Sequence, residues 1–337
     1  MTSPAVSAKP HLRWPSGASP AVGAVELAAA PDAARRLQLA LAFLWLLDGV
    51  LQFQAFMFGH GFTAMLRESA PGNPAFIAGP VTWSAQLIDR NLVLANTTFA
   101  AIQLLIGLGI AWRPALKPAL ALSVGWSLAV WWLGEGLGGL LSGTASPVNG
   151  APGAVILYAL IALLLWPREQ SHPAPFAAAR SVGATAARSI WLILWGGLAV
   201  LALLPASRAP HSLAGMLSDV TAGQPAWLAG LGRYLAGVLG EHGPAAAVVL
   251  AVALALVAAG IWLPDRALRA VLVLAIAVAA ALWLAQGLGG ILTGSATDPD
   301  SGPLLGLLAL CYWPARPAAA AGIRGGSAAI SPERSAA

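Results

Sequence analysis

The sequence predicts an all-α integral membrane protein, with eight transmembrane helices arranged as two parallel four-helix repeats. Three observations predict it. Of the 337 residues, 58% are hydrophobic and 9% are charged, whereas a soluble domain carries about 25% charged residues. The apolar residues gather in long runs with no alternating strand pattern, so helices rather than a barrel are the spanning solution. Two blocks of sequence also recur at one offset of 151 residues, Trp283 against Trp132 and His211 against His60. A mean hydropathy of +0.76 excludes a soluble enzyme, and the single Cys311 excludes a disulfide scaffold or a four-cysteine metal site.

Residues 1–35 are rich in Ala, Pro and Ser and have no apolar h-region. They are expected to form a disordered cytoplasmic tail, with the first span acting as an uncleaved anchor. Apolar segments follow at 37–58, 94–112, 119–141, 151–166, 189–206, 245–264, 268–292 and 302–314. A full span needs about 20 residues, so the fourth and eighth segments are short. Repeat 1 covers 36–168, a cytoplasmic linker 169–186, repeat 2 covers 187–315, and a second disordered cytoplasmic tail covers 316–337. With the N-terminus inside, 14 Lys and Arg fall on the inner side and 4 (Arg67, Arg90, Arg208, Arg233) on the outer side. That split orients the chain with both termini cytoplasmic. The basic balance, a net charge of +5, therefore reports membrane orientation and not nucleic-acid binding. Trp112, Trp166 and Trp313 sit near inner ends, where indole favours the interface.

The repeat is specific. WLGEGLGGLLSGTAS (Trp132–Ser146) returns as WLAQGLGGILTGSAT (Trp283–Thr297), with nine of 15 positions identical. HGFTAMLRESAPGNPAFIAG (His60–Gly79) returns as HSLAGMLSDVTAGQPAWLAG (His211–Gly230), with eight of 20 identical. Four spans per unit is an even number, so both units enter the membrane in the same direction. Each unit carries a long outer loop. In the first it reads as an amphipathic helix from Phe62, a turn at Pro71-Gly72-Asn73-Pro74 and a second helix through Trp83 and Leu87, a hairpin expected to cover the outer face. The Gly-rich run has two readings. Gly134, Gly138, Gly139 and Gly143 can form small faces for close helix packing. Alternatively, the run breaks the helix, and Ser142, Thr144 and Ser146 line an outer mouth.

Ionisable groups inside a membrane are functional candidates because they are expensive there. Asp48 falls midway along the first segment and Glu135 near the outer end of the third, with no Lys or Arg at either depth. Gln52 shares a face with Asp48, and Gln103 and Ser127 lie at comparable depth. Glu135 is expected to approach Asn96, Thr97 or Thr98. Together these residues predict a polar seam. Burial penalises the charged form of both acids, so each is placed to hold a proton, donate a hydrogen bond or carry a proton. At the repeat offset Asp48 meets Leu198 or Ala199, Asn96 meets Ala247, Gln103 meets Leu254 and Glu135 meets Gln286. The second unit is therefore expected to be mainly scaffold. The bland alternative is that both acids are hydrogen-bond glue between helices. His60 with Met65, and His211 with Met216, form a recurring outer pair whose imidazole and thioether groups could hold copper. The plainer reading is a surface His opening a short helix over a buried Met. No phosphate loop, Rossmann fingerprint or HExxH motif appears.

A four-span unit with an outer hairpin and a Gly-rich third span, with LWLLDGVLQFQAFMF (Leu44–Phe58) and WWLGEGLGG (Trp131–Gly139), resembles the DoxX-like family of small bacterial membrane proteins, here as a tandem fusion. The resemblance implies a multi-pass protein of the bacterial inner membrane. It would serve as an accessory or redox-complex subunit, holding a quinone-like or small acidic ligand beside another subunit in the bilayer. The lack of paired cysteines argues against thiol chemistry within the chain, and the resemblance carries over no catalytic residue and no defined cofactor. The residues themselves leave two alternatives open: a proton-coupled small-solute transporter using Asp48 and Glu135, or an outer-face copper-handling protein.

Overall fold

The computed structural model describes residues 33–168 and 174–315. The expected tail 316–337, most of the tail 1–35 and the start of the linker lie outside the described residues. Within them the chain is all-helical, with no strand. Five helical stretches are long and apolar enough to cross a membrane: Leu92–Ala111, Arg113–Leu133, Ala184–Leu203, Ala226–Trp262 and Asp265–Ala285.

The first helix, α1 (Ala33–Leu51), packs along α4 (Leu92–Ala111). Gly49 and Gly107 permit that contact, because a Cβ at either would collide with Leu104 or Leu46 of the facing helix. Arg35 on α1 donates to the carbonyls of Ile110 (2.8 Å) and Ala111. It thereby satisfies acceptors that the end of α4 leaves open. Helix α1 ends at Leu51, short of the expected 58, and a 3-10 turn at Ala55–Phe58 leads to the outer hairpin. The hairpin consists of α2 (His60–Glu68) and α3 (Ala75–Asp89), joined at the turn expected from Pro71–Pro74. His60, Thr63 and Arg67 all bond Asp89, tying the two arms together.

The largest departure from expectation is at the Gly-rich run. Helix α5 (Leu116–Leu133) stops eight residues before the expected 141. The chain then enters a 3-10 turn at Gly136–Gly139 in which Leu137 (φ 59°) and Gly138 (φ 63°) are left-handed. Helix packing is therefore the wrong reading of this run, and the helix break is the right one. The reason is crowding. A Cβ on Gly136 would overlap the Ser69 carbonyl, and one on Gly138 would overlap the Pro152 carbonyl. Only glycine fits both the left-handed dihedrals and these approaches. The same path recurs at Gly287–Gly290, where Leu288 (φ 55°) and Gly289 (φ 64°) are left-handed.

Because the chain turns back early, the next helices start deep and are short. Helix α6 (Ala154–Leu164) follows the first Gly turn. A short helix, α7 (Ala177–Val182), occupies part of the expected linker, and α8 (Ala184–Leu203) begins three residues before 187. A one-turn α9 (Pro205–Arg208) precedes α10 (Ser212–Asp219). Then α11 (Ala226–Ala259) runs 34 residues through Pro244. The second half therefore merges its hairpin arm with its span, where a break near 245 was expected. Proline forfeits one helical hydrogen bond and its ring crowds the preceding turn, and α11 continues nonetheless. Helix α12 (Asp265–Ala285) leads through the second Gly turn to α13 (Ser301–Leu310).

Helix α8 packs along α11, as α1 does along α4, and α6 meets α13. One continuous apolar core joins the two halves. Its buried indoles are hydrogen-bonded where partners lie near: Trp45 donates to Ser123 (3.0 Å) and Trp191 to the Val257 carbonyl (2.9 Å). Tyr312 donates to the Ala187 carbonyl (2.7 Å).

The Gly turns give the first prediction. Gly138→Ala should lower stability by more than the ~1–2 kcal/mol of left-handed strain alone, because its methyl meets a backbone carbonyl. Gly143→Ala, also left-handed but facing open space, should cost only the strain. Thermal melting of the two variants in detergent checks this, and equal losses would contradict it.

Candidate functional site

Of the six residues of the expected seam, four share a cavity and two do not. Asp48, Gln52, Gln103 and Glu135 line one cavity of about 480 Å³ beneath the hairpin. Asp48, Gln52 and Gln103 are at least nine-tenths buried. Asn96 and Ser127 are fully buried but lie outside the cavity wall. Asn96 instead donates to the Gln52 carbonyl (2.5 Å), fixing the chain where α1 ends. The expected approach of Glu135 to Asn96, Thr97 or Thr98 does not occur among the recorded bonds. Helix α5 ends before Glu135, so its side chain turns away from α4 and toward the start of α6.

There Glu135 accepts from the Val155 amide (3.4 Å) at the N-terminus of α6, a position that suits negative charge. Gly153 makes room for it, since a Cβ there would overlap the carboxylate. Its other oxygen, Oε2, is buried without a partner. Gln286, at the matching position 151 residues on, differs. Its amide donates to the Pro147 carbonyl and Ser301 (both 3.0 Å) and its oxygen accepts from Ser301 (3.2 Å). The glutamine is saturated, whereas the glutamate keeps a free oxygen facing the cavity.

The second half is not only scaffold. Its loop before α13 brings Thr297 and Asp298 into the same cavity wall as Asp48 and Glu135. Gln52 donates to the Thr297 carbonyl and Gln54 to the Ala296 carbonyl (both 3.4 Å), holding that loop across the end of α1. Asp298 accepts from the Asp300 amide (2.7 Å) and the Thr297 hydroxyl (2.9 Å). Asp300 caps α13 by accepting from the Ser301 amide (2.5 Å). A more polar cavity of about 400 Å³ adjoins the first, sharing Glu135 and Asp298 with it and lined also by Asp300, Ser142, Thr144 and Glu68. Ser142 and Thr144 thus line a mouth, as the helix-break reading expected, while Ser146 is buried and bonds Ser207 (2.7 Å) of the second half.

Trp45, Phe62, Trp83, Phe99 and Trp126 give the main cavity aromatic walls, with Trp45 backed by Tyr158 (centroids 4.3 Å) and Phe99 paired with Trp126 (5.5 Å). Sequence reasoning missed Asp298, Asp300, Tyr158 and Trp45. The Asp-Pro-Asp directly after the second Gly block, opposite Pro147 and Asn149, was a usable signal for the first two. In the second half the corresponding gap between α10, α11 and α12 holds about 10 Å³. Leu198, Ala247 and Leu254, opposite the polar seam residues, are buried in the core.

The outer His and Met residues separate into different settings. His60 is exposed and engages Asp89 (2.8 Å). Met65 lines both cavities. His211 is exposed at the start of α10, and Met216 packs on the core. Among the described residues no group of three or more His, Cys, Asp or Glu is placed to hold a metal ion.

Asp89, in the outer hairpin, yields a pH prediction. His60, Thr63 and Arg67 hold its carboxyl below the usual range, so its contribution is present above about pH 4 and is lost as pH falls further. Asp89→Asn should raise amide exchange in α2 at pH 7 and leave exchange in α12 unchanged. No protein-family model, curated protein or solved structure matches the chain.

Proposed function

We propose that the protein couples protons to a small solute, binding the solute's polar part at Asp48 and Glu135 inside the membrane. One observation supports this reading. Acceptor oxygens of Asp48, Gln52, Gln103 and Glu135 are buried without partners, and all four residues line one cavity. A buried acceptor left unpaired costs about 1–3 kcal/mol, and a buried carboxylate without a cation costs more. Either a proton on the acid or a donor-bearing solute removes that cost. The two compete for the same oxygens, and such competition is reciprocal: what binds one displaces the other. The DoxX-like resemblance implies instead a quinone-binding redox subunit, in which the protonated acids would donate to the quinone carbonyls and release no proton on binding.

The membrane arrangement that goes with this function is eight crossings in a bacterial inner membrane, as two four-span units of one orientation with both termini cytoplasmic. The recurring blocks, the matching left-handed turns and the 14-to-4 charge split support it. Helices α6 and α13 are about 15 Å long at 1.5 Å per residue, roughly half of a 30 Å hydrocarbon core. The irregular chain between the Gly turns and these helices completes their passage, which is tolerable where such chain lines a cavity or is buried in protein.

The test is a pH gradient held across proteoliposomes and reported by trapped pyranine, challenged in turn with amines, polyols, amino acids and organic acids. At least one class should collapse the gradient in wild type and fail to do so with Asp48→Asn or Glu135→Gln. A gradient that survives every class, or collapses equally in both variants, would overturn the reading.

A further inference from the structure

We propose that the solute is an amphipathic organic amine, entering sideways from the outer leaflet and seating its ammonium among Asp48, Glu135 and Asp298. The inference rests on the proton-coupled reading above and names its substrate class.

Charge supplies the first argument. Five carboxyl groups (Asp48, Glu68, Glu135, Asp298, Asp300) line the two adjoining cavities, and among the described residues no Lys or Arg lines either. A ligand carrying positive charge supplies what the protein omits. Hydrogen bonding supplies the second. The unpaired atoms of Asp48, Gln52 and Glu135 are acceptors, and an ammonium is donor-only. Gln52 cannot turn to offer its amide nitrogen, which already donates to Thr297. The third is the rest of the cavity lining. Trp45, Phe62, Trp83, Phe99 and Trp126 wall it, giving apolar surface for a hydrocarbon or aromatic body and ring faces that attract a cation. A volume near 480 Å³ falls within the range of small-molecule sites.

The route follows from exposure. Trp83 and Leu87 of α3 line the cavity yet are 58% and 50% exposed. Phe99 of α4 and Trp126 of α5 close the gap behind them with paired rings. The cavity therefore borders the lipid-facing surface between α3, α4 and α5, while its acidic end adjoins the polar mouth. An amphipathic molecule meets apolar wall first and carboxylates last.

Binding balances as an exchange. One ammonium enters and one carboxyl O–H gives its proton to water in the polar mouth, so no net charge is buried. The titratable groups facing the site are Asp48 from α1, Glu68 from α2, Glu135 after α5, Tyr158 from α6, and Asp298 and Asp300 before α13. Helices α3, α4 and α5 contribute only neutral side chains to either wall.

Three probes of one shape test it on the full chain in nanodiscs: 4-phenylbutylamine, 4-phenylbutanol and 4-phenylbutanoate, by titration calorimetry in two buffers of different ionisation heat. The amine should bind at least about tenfold more tightly than the alcohol, with the carboxylate weakest, and should release a proton. Asp298→Asn should weaken the amine by about tenfold and leave the alcohol unchanged. Equal affinities for the three, or a preference for the carboxylate, would overturn the proposal on wild type alone, whatever the variants do. A pH gradient collapsed by polyols or organic acids and not by amines would reject the amine and leave proton coupling standing. A gradient that no class collapses would reject the coupling itself, and the calorimetry would then report binding alone.

Discussion

Backbone that leaves a helix inside a packed bundle must find its hydrogen bonds within the protein, and the architecture is built around two places where it does so. At Gly136–Gly139 and Gly287–Gly290 the chain turns through left-handed residues and spends a dozen residues in irregular structure before the next helix. The amides and carbonyls of these loops are met partly by the loops' own side chains and partly by side chains from elsewhere. Asn149 and Ser146 pair across the first loop, Gln286 reaches Pro147, and Gln52 and Gln54 reach the second loop. The loops therefore bind the halves to each other as they satisfy themselves. The cavity exists because the first loop and the hairpin α2–α3 stand over a gap that the second half fills with leucine and alanine.

Much of this was legible in residue types and spacing. The helical class follows from composition. The hairpin follows from Pro71–Pro74 and the amphipathic arms on either side. Asp48, Gln52 and Gln103 share a cavity because four-residue spacing and equal depth on neighbouring helices place them on facing surfaces. What failed has physical reasons. Glycines spaced four apart are used both for close helix packing and for left-handed turns. Composition does not distinguish them, because the deciding fact is which carbonyl lies 3 Å away. Once α5 ended at Leu133, Glu135 left the helical register that pointed it at Asn96. Asp298 was overlooked for a related reason: a loop acid beyond a span is ordinary, and only the fold across α1 makes it a neighbour of Asp48.

The contrast between Glu135 and Gln286 separates structure from chemistry at one position. Both sit between a long helix and a Gly turn, and both reach the first residues of the short helix that follows the turn. The glutamine finishes its bonding within the protein. The glutamate, given room by Gly153, does not. Trp45, Tyr158 and Asp48 show the same economy: aromatic rings pack the wall while the acid among them keeps an unpaired oxygen.

That the acidic end is shared has a consequence for assembly. Asp48 and Glu135 belong to the first half and Asp298 to the second, and bonds from Gln52 and Gln54 (both 3.4 Å), from Gln286 to Pro147 (3.0 Å) and from Ser207 to Ser146 (2.7 Å) cross the boundary beside the common apolar core. Neither half alone carries all three carboxyl groups, so the wall is complete only once both halves have docked.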